Sequence, residues 1–377
     1  MKKIKGTIVL LCALWFVFAA SSCQLLPGKT VVEEKDAPKV LLPFSGAVNG
    51  KMKWGFMDGK GKRVIDLQYE AVEFFSEELA RVKLGDNKCE CWGFIDETGK
   101  MVIQPQFNEP GSSDIDFLMN PERFGFSDGV AVAKLKEGGK QVVIDKTGQI
   151  LFTAPEGYTL YNKFSEGLVK FSTSPGGYYS PYGFMDKTGK VVLDPIHSNA
   201  GSFHDGLASV ELPTFPTTYG FIDKTGKKVI EGFDQVFDFS EGLAAVKKGD
   251  KWGFIDKNGQ TIIEPQYYEV GSFSDGWSWI RAEAFEHKYF YIDKTGKSAL
   301  PLPEKFVLSL SDFSEGLTWL DNDVIDKTGK VIGTMPNLPI ANREAIRKFK
   351  FKDGVSIMTD GKFAFYLNKE GKEIKQQ

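Results

Sequence analysis

The sequence predicts an all-β chain, a tandem array of about nine three-stranded antiparallel meanders. Three observations predict it. The tetrapeptide D-K-T-G begins at Asp145, Asp186, Asp223, Asp293 and Asp326, and close variants raise the number of such turns to nine. A second signature, of the type F-S-E-G-L-A-x-V, alternates with the first. The glycines closing the first set run from Gly61 to Gly371 in eight intervals of about 39 residues, a period that marks repeat architectures.

Each element follows from local chemistry. An Asp carboxylate accepts a hydrogen bond from a backbone N–H two residues on, which starts a type I turn, and the following Gly takes the positive φ that closes it into a G1 bulge. D-K-T-G is therefore a hairpin turn. An aromatic-Gly-aromatic-aliphatic run precedes it and β-branched residues follow, as in WGFIDKNGQTII from Trp252, so strands flank it on both sides. F-S-E-G supplies a buried aromatic, a polar turn and an alternating strand, as in FSEGLAAV from Phe239. Nine copies are read, starting at Phe44, Phe75, Phe126, Phe164, Phe203, Phe239, Phe273, Phe313 and Phe351; Glu78 stands where the turn glycine is expected, which makes that turn relaxed or strained. The third strand ends at Pro105, Pro195 or Pro265 in three copies, which suits a strand end.

A sheet this small cannot bury both faces alone, and stacking on neighbours solves that. The expected array is open and twisting. The alternative is a closed β-propeller, whose blades normally have four strands; it requires a fourth strand around Tyr267 to Val270.

With 42% hydrophobic, 13% aromatic and 26% charged residues, the body is folded and water-soluble. Its N-terminus is different. Lys2, Lys3 and Lys5 precede the apolar run Thr7 to Ala20, which is short for a membrane span and has the form of a secretory signal. The run ends in Ala20-Ser21-Ser22-Cys23, which resembles the bacterial lipobox, with Ala20 in place of the usual Leu. That resemblance implies removal of residues 1–22 and acylation of Cys23, palmitate included; two or three acyl chains anchor stably where one is marginal. Residues 23–40 then read as a lipidated tether and 41–377 as the repeat domain. The expected address is extracytoplasmic, on a membrane of the bacterial cell envelope. Loss of three lysines moves the formal charge from −3 to −6, which gives no electrostatic case for nucleic acid.

The stretch KWGFIDKNGQTIIEPQYYEVGSFSDG, from Lys251 to Gly276, resembles the WG β-repeat family, also called KWG repeats. The resemblance covers about Phe44 to Ile374 and implies a β-repeat body and bacterial export. It brings no catalytic residues. Gln141, Asn322 and Ala364 replace the leading aromatic in three copies, and insertions fall at Asn108 to Glu122, Ser172 to Pro181 and Gly333 to Lys348. Long connections in repeat proteins gather on one face, where binding occurs.

Catalytic motifs are absent. Asp-Lys-Thr-Gly is also the phosphorylated motif of P-type ATPases, but here Lys or Gln follows it and one nucleophile needs no five copies. His197, His204 and His287 have no metal-ligand spacing, so neither a metal nor another cofactor is expected. Cys89 and Cys91 share a face of a strand, at the upper edge of disulfide reach; a strained disulfide and two free thiols are equally weighted. Trp54, Trp92, Tyr182, Tyr219, Trp252 and Tyr289 are expected to cover backbone of a neighbouring unit or to pack in the core, whereas Trp277, Trp279 and Trp319 are read as a local surface feature for ligand contact. The expected function is a non-enzymatic binding or scaffold module for a protein or cell-envelope polysaccharide, held to the membrane by its lipid. The rival is an envelope hydrolase or accessory factor using scattered carboxylates.

Overall fold

The computed structural model describes residues 40–85, 91–108, 125–173, 181–284, 289–301, 310–334, 350–359 and 364–377. Cys23, the signal segment and residues 23–39 of the tether lie outside the described residues. Pro38–Gln377 is one compact unit, and its described residues form strands and turns with no helix. Every sheet pairs strands in chain order, antiparallel throughout. Units are numbered one to nine by their turns at Asp58, Asp96, Asp145, Asp186, Asp223, Asp256, Asp293, Asp326 and Asn368.

Unit six shows the plan. An entry strand, Gln235–Val236, pairs with the L-A-x-V strand Leu243–Lys248; this pairs with the W-G strand Lys251–Asp256, and that with the closing strand Thr261–Tyr267. This unit has four strands where three were expected. The same holds in unit seven, where Glu269–Val270 pairs with Trp277–Arg281, the fourth strand that a propeller requires. The sheets of units three, five, eight and nine have the expected three. Residues Trp252 and Tyr267 are partners, as are Phe254 and Ile263, so the closing strand bulges by two residues around Pro265. That bulge explains the W-G glycine. A Cβ on Gly253 would stand 2.6 Å from the Pro265 nitrogen, and on Gly183 2.8 Å from that of Pro195. The glycine therefore yields to its own closing strand.

The D-x-x-G turn forms as its chemistry dictates. Asp223 Oδ1 accepts from the Thr225 N–H at 2.8 Å, the Thr225 hydroxyl at 2.6 Å and the Lys227 N–H at 3.1 Å, while Gly226 N–H donates to the Asp223 carbonyl at 2.9 Å. Gly226 has φ +81°. The F-S-E-G turn is tighter than its letters suggest. Ser240 and Leu243 exchange two backbone hydrogen bonds around Glu241 and Gly242, both with positive φ, which defines a two-residue type I′ hairpin. Glu77 and Glu78 adopt the same conformation without glycine, at φ +49° and +74°, a strain of roughly 1–2 kcal/mol per residue.

The two turns meet across every internal junction from unit two onward. The acidic hairpin residue of one unit accepts from the hairpin glycine N–H of the next: Glu77 from Gly129, Asp128 from Gly167, Glu166 from Gly206, Asp205 from Gly242, Glu241 from Gly276, Asp275 from Gly316 and Glu315 from Gly354. The D-K-x-G lysine of the following unit returns to the same acid, as Lys224 does to Glu166 at 3.1 Å, Lys294 to Glu241 at 3.2 Å and Lys327 to Asp275 at 3.2 Å. The hairpin Phe packs edge-on against the central aromatic of the preceding unit, Phe254 with Phe273 at 4.8 Å and Tyr291 with Phe313 at 4.7 Å. Recurrence of these letters is thus an inter-unit code. Asp closes its own turn, whereas Lys, Glu and Phe bind the next or previous unit.

The array does not end open. Each turn glycine abuts the closing strand of the unit before it: Gly99 on Ile65, Gly148 on Ile103, Gly189 on Phe152, Gly226 on Leu193, Gly259 on Ile230, Gly296 on Ile263, Gly329 on Leu300 and Gly371 on Gly333. Gly61 of unit one completes the cycle against Lys375 of unit nine. Gln377 N–H donates to the Gly61 carbonyl at 3.0 Å, and Met57, Phe44 and Leu42 share a core with Val355, Tyr366 and Ile374. The closed propeller, not the open array, is the arrangement of these sheets. No strand is exchanged at this seam among the described residues; the C-terminal tail is pressed onto the first turn.

One copy of the second signature was misread. Leu41, not a residue after Phe44, pairs with Asp58 as Leu243 pairs with Asp256, so Phe44-Ser45-Gly46 lies inside the strand Leu41–Val48. Gly46 has no positive φ and leaves room for the Leu67 side chain.

Candidate functional site

Strand direction sorts the molecule into two ends. L-A-x-V strands run away from the F-S-E-G hairpins, W-G strands run back to the D-x-x-G turns, and closing strands run away again. Both recurrent turns therefore occupy one end. The opposite end carries the connections between L-A-x-V and W-G strands and those that lead to the next entry strand. Asn108, Ser172, Pro181 and Thr334, at the edges of the three insertions, belong to that end; residues 109–122, 174–180 and 335–348 lie outside the described residues.

The nominated tryptophans are divided by the structure. Trp319 is 1% exposed, donates its indole N–H to Ser356 Oγ at 3.0 Å and stacks on Phe351. It is core, because unit eight has Val324 in place of the central aromatic and the larger side chain fills that space. Trp277 is half-buried against Phe313, with the Lys327 ammonium over its ring at 5.7 Å. Trp279 belongs to the core cluster with Tyr289 and Leu310, yet one edge reaches a groove. Cys91 is 1% exposed and disulfide-bonded; Cys89 lies outside the described residues.

That groove lies at the loop end. A cavity of about 360 Å³ is lined by Phe237, Trp252, Trp279, Glu269 to Ser272 and Asp312, which come from units six, seven and eight. A second, of about 510 Å³, shares Trp252 and Glu269 with it and adds Tyr268, Lys247, Asp250, Lys251 and Glu283. Trp252 opens its W-G strand and packs on Phe237 at 4.7 Å. Glu269 Oε1 accepts from Arg281 Nη2 at 2.7 Å, and the guanidinium lies over the Tyr268 ring at 4.6 Å. Asp312 accepts the Trp279 indole N–H at 3.1 Å and pairs with Lys350 at 3.3 Å. Gly271 has no side chain where the Trp279 indole lies. The wall thus alternates rings with carboxylates, of which Glu269, Asp312 and Glu283 each face a cation.

Sequence reasoning missed this groove, although one signal pointed to it. The third letter of L-A-x-V varies, and it reaches across to the next unit: Arg81 to the Asn108 carbonyl at 2.6 Å, Lys170 to the Ala200 carbonyl at 2.6 Å, Ser209 to Asp238 at 2.5 Å and Trp279 to Asp312 at 3.1 Å. Burial lowers the Lys170 ammonium pKa, with Asp238 opposing, and burial raises that of Glu73 against the pull of its Arg81 partner. Among the described residues no three metal-ligating side chains gather.

Comparison with known families matches the repeat described as WG containing repeat at residues 54–89, 92–109, 182–212, 219–252 and 252–283. The comparison with curated proteins found no match. Among solved structures, the chain is similar to a eukaryotic initiation factor at 11% identity and TM-score 0.53, covering 88% of this chain and 94% of that one. This is a likeness of fold. The β-propeller domain of the Trilobed protease from Pyrococcus furiosus is matched at 10% identity and TM-score 0.34, over 76% and 94% of the two chains.

Proposed function

We propose that this chain, which belongs to the WG-repeat family, is a non-enzymatic binding or scaffold module, anchored through Cys23 to a membrane of the bacterial envelope and facing away from the cytoplasm. The observation that carries the binding reading is the groove at the loop end, where three units contribute rings and paired carboxylates to one surface. Pockets with apolar walls and a few oriented polar groups are where ligands bind. The hydrolase alternative calls for two carboxylates facing each other with one free to act as acid or base, while Glu269 and Asp312 are each engaged by a cation.

Two measurements test it. Cells expressing the chain and fed labelled palmitate should label the wild type and not Cys23→Ser, and the variant should leave the membrane fraction. Label on the variant, or a membrane fraction unchanged by it, rejects the anchor. The mature acylated protein, used as bait on detergent-solubilised envelope, should hold partners that the Phe237→Ala/Tyr268→Ala double variant loses. Identical captured sets would place recognition elsewhere.

A further inference from the structure

We infer that this is a split ring: it opens reversibly between units nine and one before it opens anywhere else, and units one and two move together when it does. The contrast between junctions carries the inference. Between units eight and nine, Glu315 accepts from the Asp353 N–H at 2.6 Å and the Gly354 N–H at 2.9 Å, Ser314 Oγ from the Phe351 N–H at 2.6 Å, and Ser356 Oγ from the Trp319 indole N–H at 3.0 Å. These bonds join folded units directly. At the seam the hydrogen bonds come from the tail, where Gln377 donates its backbone N–H to the Gly61 carbonyl at 3.0 Å and its side-chain amide to the Lys60 carbonyl at 3.2 Å. Gln377 is exposed, so water competes for both.

Unit one does not swing alone. Its closing strand runs on as the entry strand of unit two: Arg63–Val72 pairs with Lys51–Asp58 on one side and Leu79–Leu84 on the other, in a six-stranded sheet. What holds the seam is then chiefly apolar. Leu42, Phe44 and Met57 of unit one meet Val355, Tyr366 and Ile374 of unit nine, with Val40 packed beside them. A Cβ on Gly59 would stand 3.1 Å from Val40 Cγ1 and 3.8 Å from Val355 Cγ2, so the chain leading from Cys23 enters the body within this lock. Apolar contact is non-directional and parts without any exchange of partners, whereas each clamped junction must first break several directed bonds. The least protected junction opens first, as a unit, without global unfolding.

Two methionines make the test internal. Met57 in W-G-F-M-D and Met185 in Y-G-F-M-D hold the same place in units one and four and are 3% and 0% exposed. Met57 faces unit nine across the seam, and Met185 faces Val130 and Val143 of unit three across a clamped junction. The mature chain is treated with hydrogen peroxide in native buffer, and sulfoxide at each methionine is followed by peptide mass spectrometry, with exposed Met52 as the reference for an open side chain. Met57 should oxidise about tenfold faster than Met185, with circular dichroism unchanged. Val40→Ala should speed Met57 and leave Met185 as it was. Asp128→Gly, which removes the acid that caps Gly167 and suits the positive φ there, should raise the Met185 rate toward that of Met57. Equal rates for Met57 and Met185 in the unsubstituted chain, or a Met57 rate that rises only as circular dichroism is lost, would overturn the inference. So would a Met185 rate indifferent to Asp128→Gly, because the clamps would then not be what keeps the other junctions shut.

Discussion

The two ends of the ring obey different rules. At the turn end each side chain serves two partners: Glu241 caps Gly276 at 2.9 Å and pairs with Lys294, whose own turn is closed by Asp293. Substituting one residue there disturbs two units. At the other end the connections differ in length from unit to unit, and the groove residues Phe237, Tyr268 and Asp312 have no counterpart in most copies. Placing the code for stacking at one end releases the other to vary, as in other repeat proteins whose insertions gather on one face.

The seam between units nine and one is the exception that sharpens this contrast. Unit one has Gly59, and unit two Glu97, where the clamp lysine stands in the other units, and no hairpin glycine stands directly before Leu41, so among the described residues Asp353 meets neither partner there. Ile374, Gln377 and an apolar core close the ring instead. Removing residues 373–377 should therefore have the largest effect. It strips one buried Ile and several backbone bonds, about 4 kcal/mol in sum, and chemical denaturation should show a broadened transition as terminal units loosen. An unchanged midpoint would mean that the ring stays shut without its tail.

Gly253→Ala comes next. Overpacking against the Pro265 bulge should cost about 3 kcal/mol, read as a lower denaturation midpoint; a loss below about 0.5 kcal/mol would show that the bulge relaxes freely. The clamp is weaker. Glu241→Ala should lose about 1 kcal/mol, because its bonds are made at the surface. A double-mutant cycle with Lys294→Ala should give a coupling below that figure, and additivity would show that the pair adds nothing.

How much of this was legible in the letters depends on whether they act within a unit or between units. Asp223 and Gly226 could be assigned to a turn because their partners are two to four residues away. Strand order followed from the same local signals. The role of Lys224 could not, since its acid lies 58 residues earlier and composition alone reads such a lysine as solvated. Phe44 was misplaced for a related reason: register is set by Leu41 facing Asp58, which four letters do not encode. Closure escaped for want of any clamp letters at the seam. The groove escaped because its residues are scattered over three units, and Trp319, equal to Trp279 by position in its strand, is wholly buried.

Acidity probes the turn end as a set. In Asp96, Asp145, Asp223, Asp293 and Asp326 the Thr hydroxyl, opposed by desolvation and aided by backbone N–H donors, holds the carboxyl below its ordinary pKa. A depressed folded pKa contributes stability that is complete above the unfolded value, near 3.9, and is lost as pH falls through the folded one. The melting temperature should drop below about pH 4 from this source. Asn368 builds the same turn without a charge, so Asp223→Asn with Asp293→Asn should fold and show a shallower acid limb. An identical limb would remove the turns from the account of acid sensitivity.

The smallest effect on stability is expected where the effect on function is expected to be largest. Phe237 and Tyr268 are more than a third exposed, so truncating either removes contact on one side only and should shift stability by no more than about 0.5 kcal/mol. Their neighbours argue the same way. Trp252 keeps its strand partners Lys247 and Tyr267, and Arg281 keeps Glu269 when the Tyr268 ring is gone. A drop in melting temperature as large as that of Glu241→Ala would make the two rings part of the frame. The division of the ring into a locked end and a free end would then fail at the groove.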